Sequence, residues 1–261
     1  MPVSGNLYYS YCRDVGAETP PLVLIHGAGG MHLYWPPEIR RLRGYCVYAI
    51  DLPGHGKSDI CDGQQTIGDY ARYLVQWLES IQIRRAVFVG HSMGSAIALT
   101  LAIDHPEYVV GLGLLGAGAR LRVNPELLNY AADLTTFYKA TDLLVECSFS
   151  PGAPPRLIEL ASKRMEEVRQ SVLYGDLLAC NRFDVMDRLG AVQQNTLVVC
   201  GADDQMTPAR YAQYLSSSIP NARLTVIPNA GHMVMLEQPH LVANSLLSFL
   251  NDISFLPGEG V

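Results

Sequence analysis

A serine flanked by two glycines interrupts an apolar stretch of this sequence. Residues 87–99 read VFVGHSMGSAIAL, with Gly90 and Gly94 on either side of Ser92. The residues before the serine are typical of a buried strand, and those after it are typical of a helix. On so sharp a strand-to-helix turn the serine backbone is strained, and a Cβ at either glycine would collide with a neighbouring element. The pattern predicts an exposed nucleophilic hydroxyl; a tight turn with an inert serine is the alternative.

A serine hydroxyl becomes a good nucleophile only when a base takes its proton. The sequence has seven histidines, and His232 is the best candidate because it follows a strand and Gly231 on a loop that leads into the last predicted helix. The alternative is a loop histidine with a structural role. Of the other six, His32 and His55 fall in loops at the carboxyl edge of the sheet and are candidates to line a pocket. We expect structural roles or unsuitable positions for His26, His91, His105 and His240.

The base needs a carboxylate that fixes its tautomer and stabilises the imidazolium. The segment TLVVCGADDQMTP ends a predicted strand with two acids, Asp203 and Asp204. Both are expected at the same edge of the sheet as Ser92. The residues alone do not show which of the two is the partner of His232.

A glycine-rich loop supplies the remaining element of such a site. The segment LVLIHGAGG closes another predicted strand and continues through Gly27, Ala28, Gly29 and Gly30. The backbone of such a loop can approach a ligand closely, and the N–H groups of Ala28 and Met93 are the donors we expect to hold an oxyanion. A phosphate-binding loop is the rival interpretation, but the segment lacks both G-x-G-x-x-G and the lysine of a P-loop.

Composition restricts the class of partner. The chain has 261 residues, of which 49% are hydrophobic and 17% charged, and a formal net charge of -6. Because no block of lysine or arginine interrupts the pattern, neither nucleic acid nor an anionic membrane is an expected partner. We expect a small-molecule partner and a monomer or homodimer.

Six scattered cysteines show no metal-ligand spacing, so we predict free thiols and no metal, with Cys46, Cys180 and Cys200 buried. The first residues lack the pattern of a signal peptide, which together with the cysteines predicts a cytoplasmic location. The run 86–103 contains no Asp, Glu, Lys or Arg and approaches the length of a membrane span. The Gly90–Ser92 interruption favours two short buried elements instead.

The elements that must position these residues alternate along the chain. Short β-branched or aromatic runs, most of them continuously apolar, predict strands at 7–12, 22–26, 45–50, 86–90, 109–115, 196–200 and 223–227. Helical patterns at 66–81, 93–105 and 239–251 separate some of them. This alternation predicts a mostly parallel, doubly wound α/β sheet. Residues 117–188 read as helical with no strand, and we predict that they form a cap inserted into a core of residues 1–116 and 189–261.

Taken together, the sequence resembles the α/β-hydrolase superfamily over essentially its whole length, and is most similar to capped bacterial carboxylesterases. The resemblance rests on the ordered motifs HGAGG, DLPGHGKSD, GHSMG, GADDQMTP and AGHMVMLEQP. The order serine, acid, histidine is that of the superfamily. The family pattern G-x-x-D implies that Asp204 is the acid, and the family's use of the second motif implies structural roles for His55 and Ser58. Ser95 departs from the glycine usual at its position, which bears on helix packing.

The resemblance implies a carboxylesterase that cleaves short- to medium-chain esters through the triad Ser92, Asp204 and His232, without a cofactor. Carbon–carbon bond hydrolase, lactonase, cofactor-free perhydrolase and non-enzymatic ligand receptor remain alternatives, because the triad is common to the enzymes and fold alone does not fix function. Substrate choice is assigned to the cap, with Leu121, Leu128 and Phe149 among the candidate wall residues. The predicted pocket residues are Gly27, His32, Phe137, Tyr138, Met186 and Met233.

Overall fold

A computed structural model describes residues 3–4, 7–12, 19–58 and 61–253, and its centre is an eight-stranded sheet. The strand order is β1-β2-β4-β3-β5-β6-β7-β8. The first two pairings, β1 with β2 and β2 with β4, are antiparallel, and the others are parallel. The strands are β1 (Val3–Ser4), β2 (Leu7–Cys12), β3 (Leu22–Ile25), β4 (Val47–Ile50), β5 (Ala86–His91), β6 (Val109–Leu115), β7 (Asn195–Gly201) and β8 (Ala222–Ile227). The predicted fold class is therefore confirmed, and each predicted strand is present.

Helices cover both faces of the sheet. They are α1 (Pro37–Arg40), α2 (Ile67–Ser80), α3 (Met93–Asp104), α4 (Pro125–Ala132), α5 (Phe137–Ser148), α6 (Pro155–Glu166), α7 (Gln170–Arg182), α8 (Ala209–Ser218), α9 (Val234–Glu237) and α10 (Pro239–Asp252). Short 3-10 turns occur at His32–Tyr34, Pro106–Tyr108 and Met186–Ala191. One layer of the core packs α2, α3 and α8 against the sheet, and the other packs α1 and α10. The central strands β3, β5, β6 and β7 are buried on both faces, as continuously apolar parallel strands require, whereas the edge strand β8 is only half-buried.

Local sequence explains where the long helices begin and end. The Thr66 side chain accepts a hydrogen bond from the Asp69 N–H and caps α2, which buries one apolar side against the sheet. Almost every residue of α3 is buried, because this helix lies between the sheet and its neighbours α2 and α7. Pro106 follows α3 closely and cannot continue it.

Four helices, α4 to α7, lie between β6 and β7. We refer to residues 117–188 as the helical insertion. Helix α7 contacts α3 of the core, and its Gly175 faces Gly63 so closely that a Cβ at Gly175 would lie 2.7 Å from the Gly63 carbonyl oxygen. This helix therefore packs with its backbone directly against a loop of the core.

The charge-free run 86–103 divides into β5 and α3 at Ser92. Within the described ranges, no helix combines the length and the apolar character needed to cross a bilayer. All six cysteines are free; Cys180 and Cys200 are buried as predicted. The prediction for Cys46 was wrong, because this residue precedes β4 at a half-buried position.

Candidate active site

Ser92 occupies a strained turn between β5 and α3. Its backbone has φ 52° and ψ −116°, a conformation that costs free energy for a residue with a side chain. A Cβ at Gly90 would overlap the Gly94 carbonyl, and one at Gly94 would overlap the Ile25 carbonyl. The Ser92 N–H donates to the Leu115 carbonyl of β6 at 2.8 Å. The turn is thus held by contacts that only glycine permits and by a hydrogen bond to the adjacent strand.

Ser95, which departs from the family's glycine, contributes to the same turn. Its hydroxyl lies 2.7 Å from the Gly90 carbonyl and 3.0 Å from the Leu115 carbonyl, and it is fully buried. The side chain thereby links the first turn of α3 to the ends of β5 and β6. Its effect is on the packing of the turn, as expected from the sequence.

His232 and Asp204 form a buried pair. The His232 Nδ1 lies 2.9 Å from Asp204 Oδ2, and both side chains are almost completely shielded from solvent. The other oxygen, Oδ1, accepts from the N–H groups of Met206 and Thr207, each at 2.9 Å. Because a carboxylate only accepts, the Nδ1 of His232 carries the proton and the Nε2 is left as the basic nitrogen.

The electrostatics of the pair favour an ionised acid. Burial acts to raise the pKa of Asp204, but the facing His232 and the hydrogen bonds from Thr207 outweigh it and lower that pKa below its usual value. Asp203, in contrast, is exposed and uses its N–H to bond the Ala230 carbonyl. The structure therefore places Asp204, and not Asp203, against His232.

Ser92 and His232 line a common cavity. The His232 Nε2 is buried and has no hydrogen-bond partner in the described part of the chain. Hydrogen bonds between a nucleophile and its base are commonly long in ligand-free enzymes and shorten when substrate binds. Gly116 leaves room for the imidazole, since a Cβ there would lie 3.0 Å from His232 Cε1.

His91, for which the sequence predicted a structural role or an unsuitable position, also borders the cavity. Its Nε2 lies 2.9 Å from the His232 carbonyl oxygen, so this nitrogen donates, and the two rings are 4.8 Å apart. Burial and the neighbouring His232 lower the pKa of His91 to about 3. His91 is therefore a neutral side chain that holds the backbone of His232.

The glycine-rich loop after β3 lies beside Ser92. A Cβ at Gly27 would be 3.1 Å from Ser92 Cβ, and Ala28 lines the cavity with the serine. The Gly30 N–H bonds the Gly27 carbonyl at 3.1 Å and closes the loop, whereas the Ala28 N–H donates to no acceptor that the structure describes. Met93 is the first residue of α3 and has no carbonyl one turn earlier to accept its N–H. Both amides predicted to hold an oxyanion are thus next to Ser92.

The cavity has a volume of about 360 Å³, within the range of about 300–1,000 Å³ typical of small-molecule sites. We call its two sides the core wall and the insertion wall. The core wall is formed by Gly27, Ala28, Tyr34, His91, Ser92, Gln205, Met206, Thr207, Tyr211, His232 and Met233. The insertion wall is formed by Leu121, Arg122, Val123, Asn124, Leu127, Leu143, Leu144, Val145, Cys147, Ser148, Phe149, Ala161, Met165, Leu177 and Cys180.

The cavity contains some of the predicted pocket residues but not all. Gly27, Met233, Leu121 and Phe149 line it as expected. His32 does not, because its Nδ1 is held 2.9 Å from the buried Asp51. Tyr138 is 59% exposed on the outer surface of the insertion. Phe137, Leu128 and Met186 also lie outside the cavity because they pack into the two core layers.

Several lining residues were not predicted from the sequence. Thr207 donates to Asp204 Oδ2 at 2.8 Å and also lies 3.2 Å from the His232 Nδ1; only its position in GADDQMTP could have indicated it. Tyr34 is the last residue of the 3-10 turn His32–Tyr34. Burial raises its pKa to about 12, so its phenol stays protonated. Met165 and Leu177 come from different helices of the insertion and meet only in the folded chain.

The cavity is close to neutral. Arg122 is the only Lys or Arg among its described lining residues, and none of them is Asp or Glu. The Arg122 guanidinium is already engaged, with Nη1 2.6 Å from the Asn181 carbonyl and Nη2 3.5 Å from Asp184. Over residues 3–4, 7–12, 19–58 and 61–253, no three His, Cys, Asp or Glu side chains are grouped as metal ligands.

Comparisons with known proteins give the family. Residues 20–239 match the model of the alpha/beta hydrolase fold family. The chain is 32% identical to the dihydrolipoyllysine-residue acetyltransferase component of the acetoin cleaving system of Pseudomonas putida, covering 91% of this chain and 65% of that protein. It is 27% identical to a 2-hydroxy-6-oxo-6-phenylhexa-2,4-dienoate hydrolase of Burkholderia cepacia, covering 92% and 90%.

A solved structure of a thermophilic esterase is 33% identical and superposes with a TM-score of 0.80, covering 95% of this chain and 99% of that one. The fold, the ordered motifs and the match over most of the chain lead to one conclusion. The protein belongs to the α/β-hydrolase fold family.

Proposed function

We propose that the protein is a serine carboxylesterase that cleaves short- to medium-chain carboxylic esters through an acyl-enzyme on Ser92. The observation that carries the proposal is the buried His232–Asp204 pair, in which His232 Nε2 has no partner among the described residues and His232 lines the same cavity as Ser92. A nucleophile, a base with a defined tautomer and two unpaired amides are what acyl transfer requires.

The reaction begins when Ser92 Oγ attacks the ester carbonyl and His232 Nε2 takes its proton. The N–H groups of Ala28 and Met93 stabilise the oxyanion, and Asp204 stabilises the imidazolium. His232 then gives its proton to the leaving alkoxide, and the alcohol departs. Water, deprotonated by His232, attacks the acyl-enzyme and releases the carboxylic acid and Ser92.

The substrate is expected to be uncharged near the scissile bond. The insertion wall is mainly aliphatic, aromatic and sulfur-containing, and its one arginine, Arg122, already bonds the Asn181 carbonyl and lies 3.5 Å from Asp184. A carboxylate buried among such side chains would lose hydration without gaining a partner. Apolar acyl groups therefore fit this wall better than charged ones.

The alternatives share the same triad. Carbon–carbon bond hydrolysis gains support from the similarity to the dienoate hydrolase of Burkholderia cepacia. A dienoate substrate carries a carboxylate, however, and Arg122, the one Lys or Arg among the described lining residues, already lies 3.5 Å from Asp184. Lactonase and perhydrolase activities, or a receptor that binds a ligand without turnover, would use the same cavity and are outcomes of the experiment below.

The test is stopped-flow release of p-nitrophenol from the acetate, butyrate and octanoate esters, with Ser92→Ala as the control. We expect a burst equal to the enzyme concentration followed by steady turnover, and neither with the variant. A burst with almost no turnover would indicate a receptor or a different acyl acceptor. The absence of Ser92-dependent p-nitrophenol release from all three esters would refute the esterase proposal and direct the search to dienoate substrates.

A further inference from the structure

A buried carboxylate of the helical insertion lies directly behind the glycine-rich loop. Asp176, on α7, is completely shielded from solvent. Its Oδ2 accepts from the Gly29 N–H at 2.8 Å and from His55 Nε2 at 2.8 Å, and its Oδ1 accepts from the Tyr70 hydroxyl. These donors come from three separate parts of the core. One side chain of the insertion thus ties together the oxyanion loop, the loop after β4 and helix α2.

The pairing defines the charge of His55. Its Nδ1 lies 3.0 Å from the Pro53 carbonyl, and its Nε2 faces the Asp176 carboxylate. Both neighbours only accept, so both nitrogens donate and the ring is an imidazolium. Burial acts to lower the pKa of His55, but Asp176 raises it by more, and the net shift is upward. Asp176 and His55 therefore form an ion pair inside the protein.

The bond to Gly29 bears on the adjacent Ala28 amide. Gly29 has φ +62°. A Cβ there would lie 3.0 Å from Met165 Sδ and 3.3 Å from Leu173 Cδ1, so side chains of the insertion also pack closely against the loop. The N–H of Gly29 belongs to the same planar peptide unit as the carbonyl of Ala28. The Ala28 N–H belongs to the preceding unit, whose Gly27 carbonyl accepts from Gly30 and His26, and the two units meet at the Ala28 Cα. Fixing the Gly29 unit with a charge-assisted hydrogen bond therefore holds the second side of that junction and limits rotation of the Ala28 N–H.

We propose that Asp176 is a positioning residue for the oxyanion hole, which holds the Ala28 amide in the direction that a tetrahedral intermediate requires. The inference rests on the proposed acyl transfer at Ser92. Asp176 does not touch the reacting atoms; it acts through Gly29, with His55 as its counter-charge. Helix α7 is then part of the catalytic apparatus and not only a wall of the cavity.

A purely structural role predicts something different. If Asp176 only attached the insertion to the core, its replacement would lower stability and the concentration of competent enzyme, but each competent site would react at the normal rate. If it positions the amide, transition-state binding falls while ground-state binding changes little. Titration to completion with an irreversible fluorophosphonate, which labels Ser92 once per competent site, counts those sites independently of the acylation rate, so the rate per titrated site separates the two roles.

The experiment compares Asp176→Asn with Asp187→Asn, the same chemical change at an exposed position of the insertion. We expect Asp176→Asn to lower the acylation rate per competent site with p-nitrophenyl butyrate by about 10- to 100-fold, which is less than the loss of about 10²- to 10³-fold for removing an oxyanion donor outright, with little change in KM. Affinity for a trifluoromethyl ketone that mimics the tetrahedral intermediate should fall by the same factor. Asp187→Asn should match the parent in both measurements.

A normal acylation rate per competent site in folded Asp176→Asn would overturn the inference and leave the esterase proposal intact. If the wild-type protein shows no p-nitrophenol release that Ser92→Ala removes, the esterase proposal fails, and the positioning role falls with it. Should Asp176→Asn not fold, His55→Gln removes the counter-charge and keeps a donor. We expect it to lower the same rate and the same ketone affinity, and unchanged values would equally overturn the inference.

Discussion

The two walls of the cavity are built by different means. On the core wall, the positions of Ser92 and Ala28 depend on backbone hydrogen bonds and on glycines that admit no Cβ. On the insertion wall, helices present side chains such as Leu127, Leu144 and Leu177 that touch the cavity through apolar surface alone. The chemistry therefore depends on backbone geometry that tolerates little change, whereas the shape of the substrate site depends on side chains that can vary.

The largest effect is expected in the core, where the carboxylate that faces His232 is replaced. We expect Asp204→Asn to lower kcat for p-nitrophenyl butyrate by about 10⁴-fold, because the amide stabilises neither the tautomer nor the imidazolium of His232. Asp203→Asn is the matched control and should change kcat by less than about threefold, since an exposed side chain away from the site has little effect. Comparable losses in both variants would refute the assignment of Asp204.

Glycines of the two regions should also respond differently. Gly94→Ala should cost about 4 kcal/mol or more in the free energy of unfolding, because its Cβ would overlap the Ile25 carbonyl of the sheet. Gly152→Ala, in an exposed loop of the insertion with no atom within 4 Å of the added Cβ, should change stability by less than about 1 kcal/mol. Urea unfolding of both variants and the parent measures the change in the free energy of unfolding. A Gly94→Ala variant as stable as the parent would contradict the proposed contact.

Acid should weaken the core wall through buried neutral histidines. His26 donates from Nδ1 to the Gly27 carbonyl and accepts the Leu52 N–H at Nε2, and burial followed by the charge of His55 lowers its pKa to about 4. His91 is lowered further, to about 3. The ordinary pKa of a histidine, as in the unfolded chain, is 6.5. At pH values between the lowered pKa and 6.5, the unfolded chain binds more protons than the folded one, so the free energy of unfolding falls as the pH falls. The loss for His26 between pH 6.5 and 4 is about 3 kcal/mol.

The check is urea unfolding at a series of pH values. His91→Gln should flatten the decline of stability below pH 6.5, and His240→Gln, at an exposed position, should leave it unchanged. His55 acts with the opposite sign, because its raised pKa stabilises the fold at low pH and this contribution is lost as the pH rises through that pKa. A decline as steep in His91→Gln as in the parent would show that this histidine is not the source.

The smallest effect is expected on the insertion wall. Leu144→Ala enlarges the cavity and should raise the ratio of octanoate to acetate turnover by about 10-fold, the lower end of the range of about 10- to 200-fold for a methylene-sized change in an apolar pocket. Leu160→Ala, on the exposed side of α6, is the control and should leave the ratio unchanged. The ratio is measured as kcat/KM for the octanoate ester divided by kcat/KM for the acetate ester. An unchanged ratio in Leu144→Ala would place the acyl chain elsewhere.

The core was largely predictable because its signals are local. Continuous apolar runs marked each parallel strand, and the glycines around Ser92 marked the turn, since both patterns record contacts within a few residues. The tie between Asp203 and Asp204 was not resolved by the residues, because it depends on how the strand end directs two adjacent side chains. Family resemblance pointed to Asp204, which the structure places against His232.

The insertion was less predictable because its helices use apolar residues on more than one face. Phe137 and Tyr138 resembled cavity residues in sequence, yet one packs inward and the other faces solvent. Asp176 was missed altogether: within the pattern YGDLLAC it looks like a solvated helix residue, and its partner Gly29 lies 147 positions away. No local pattern records a contact of that sequence separation.

The close approach of Gly175 to Gly63 has a consequence for the motions of the chain. Around Gly175 the helix α7 meets the loop backbone to backbone with no side chain between them, so sliding of α7 along the core would break this contact. Local opening of the insertion must therefore be carried by its other helices. In hydrogen exchange, the amides of α7 should behave as members of the same cooperative unit as the sheet, while those of α4 to α6 open at lower free energy.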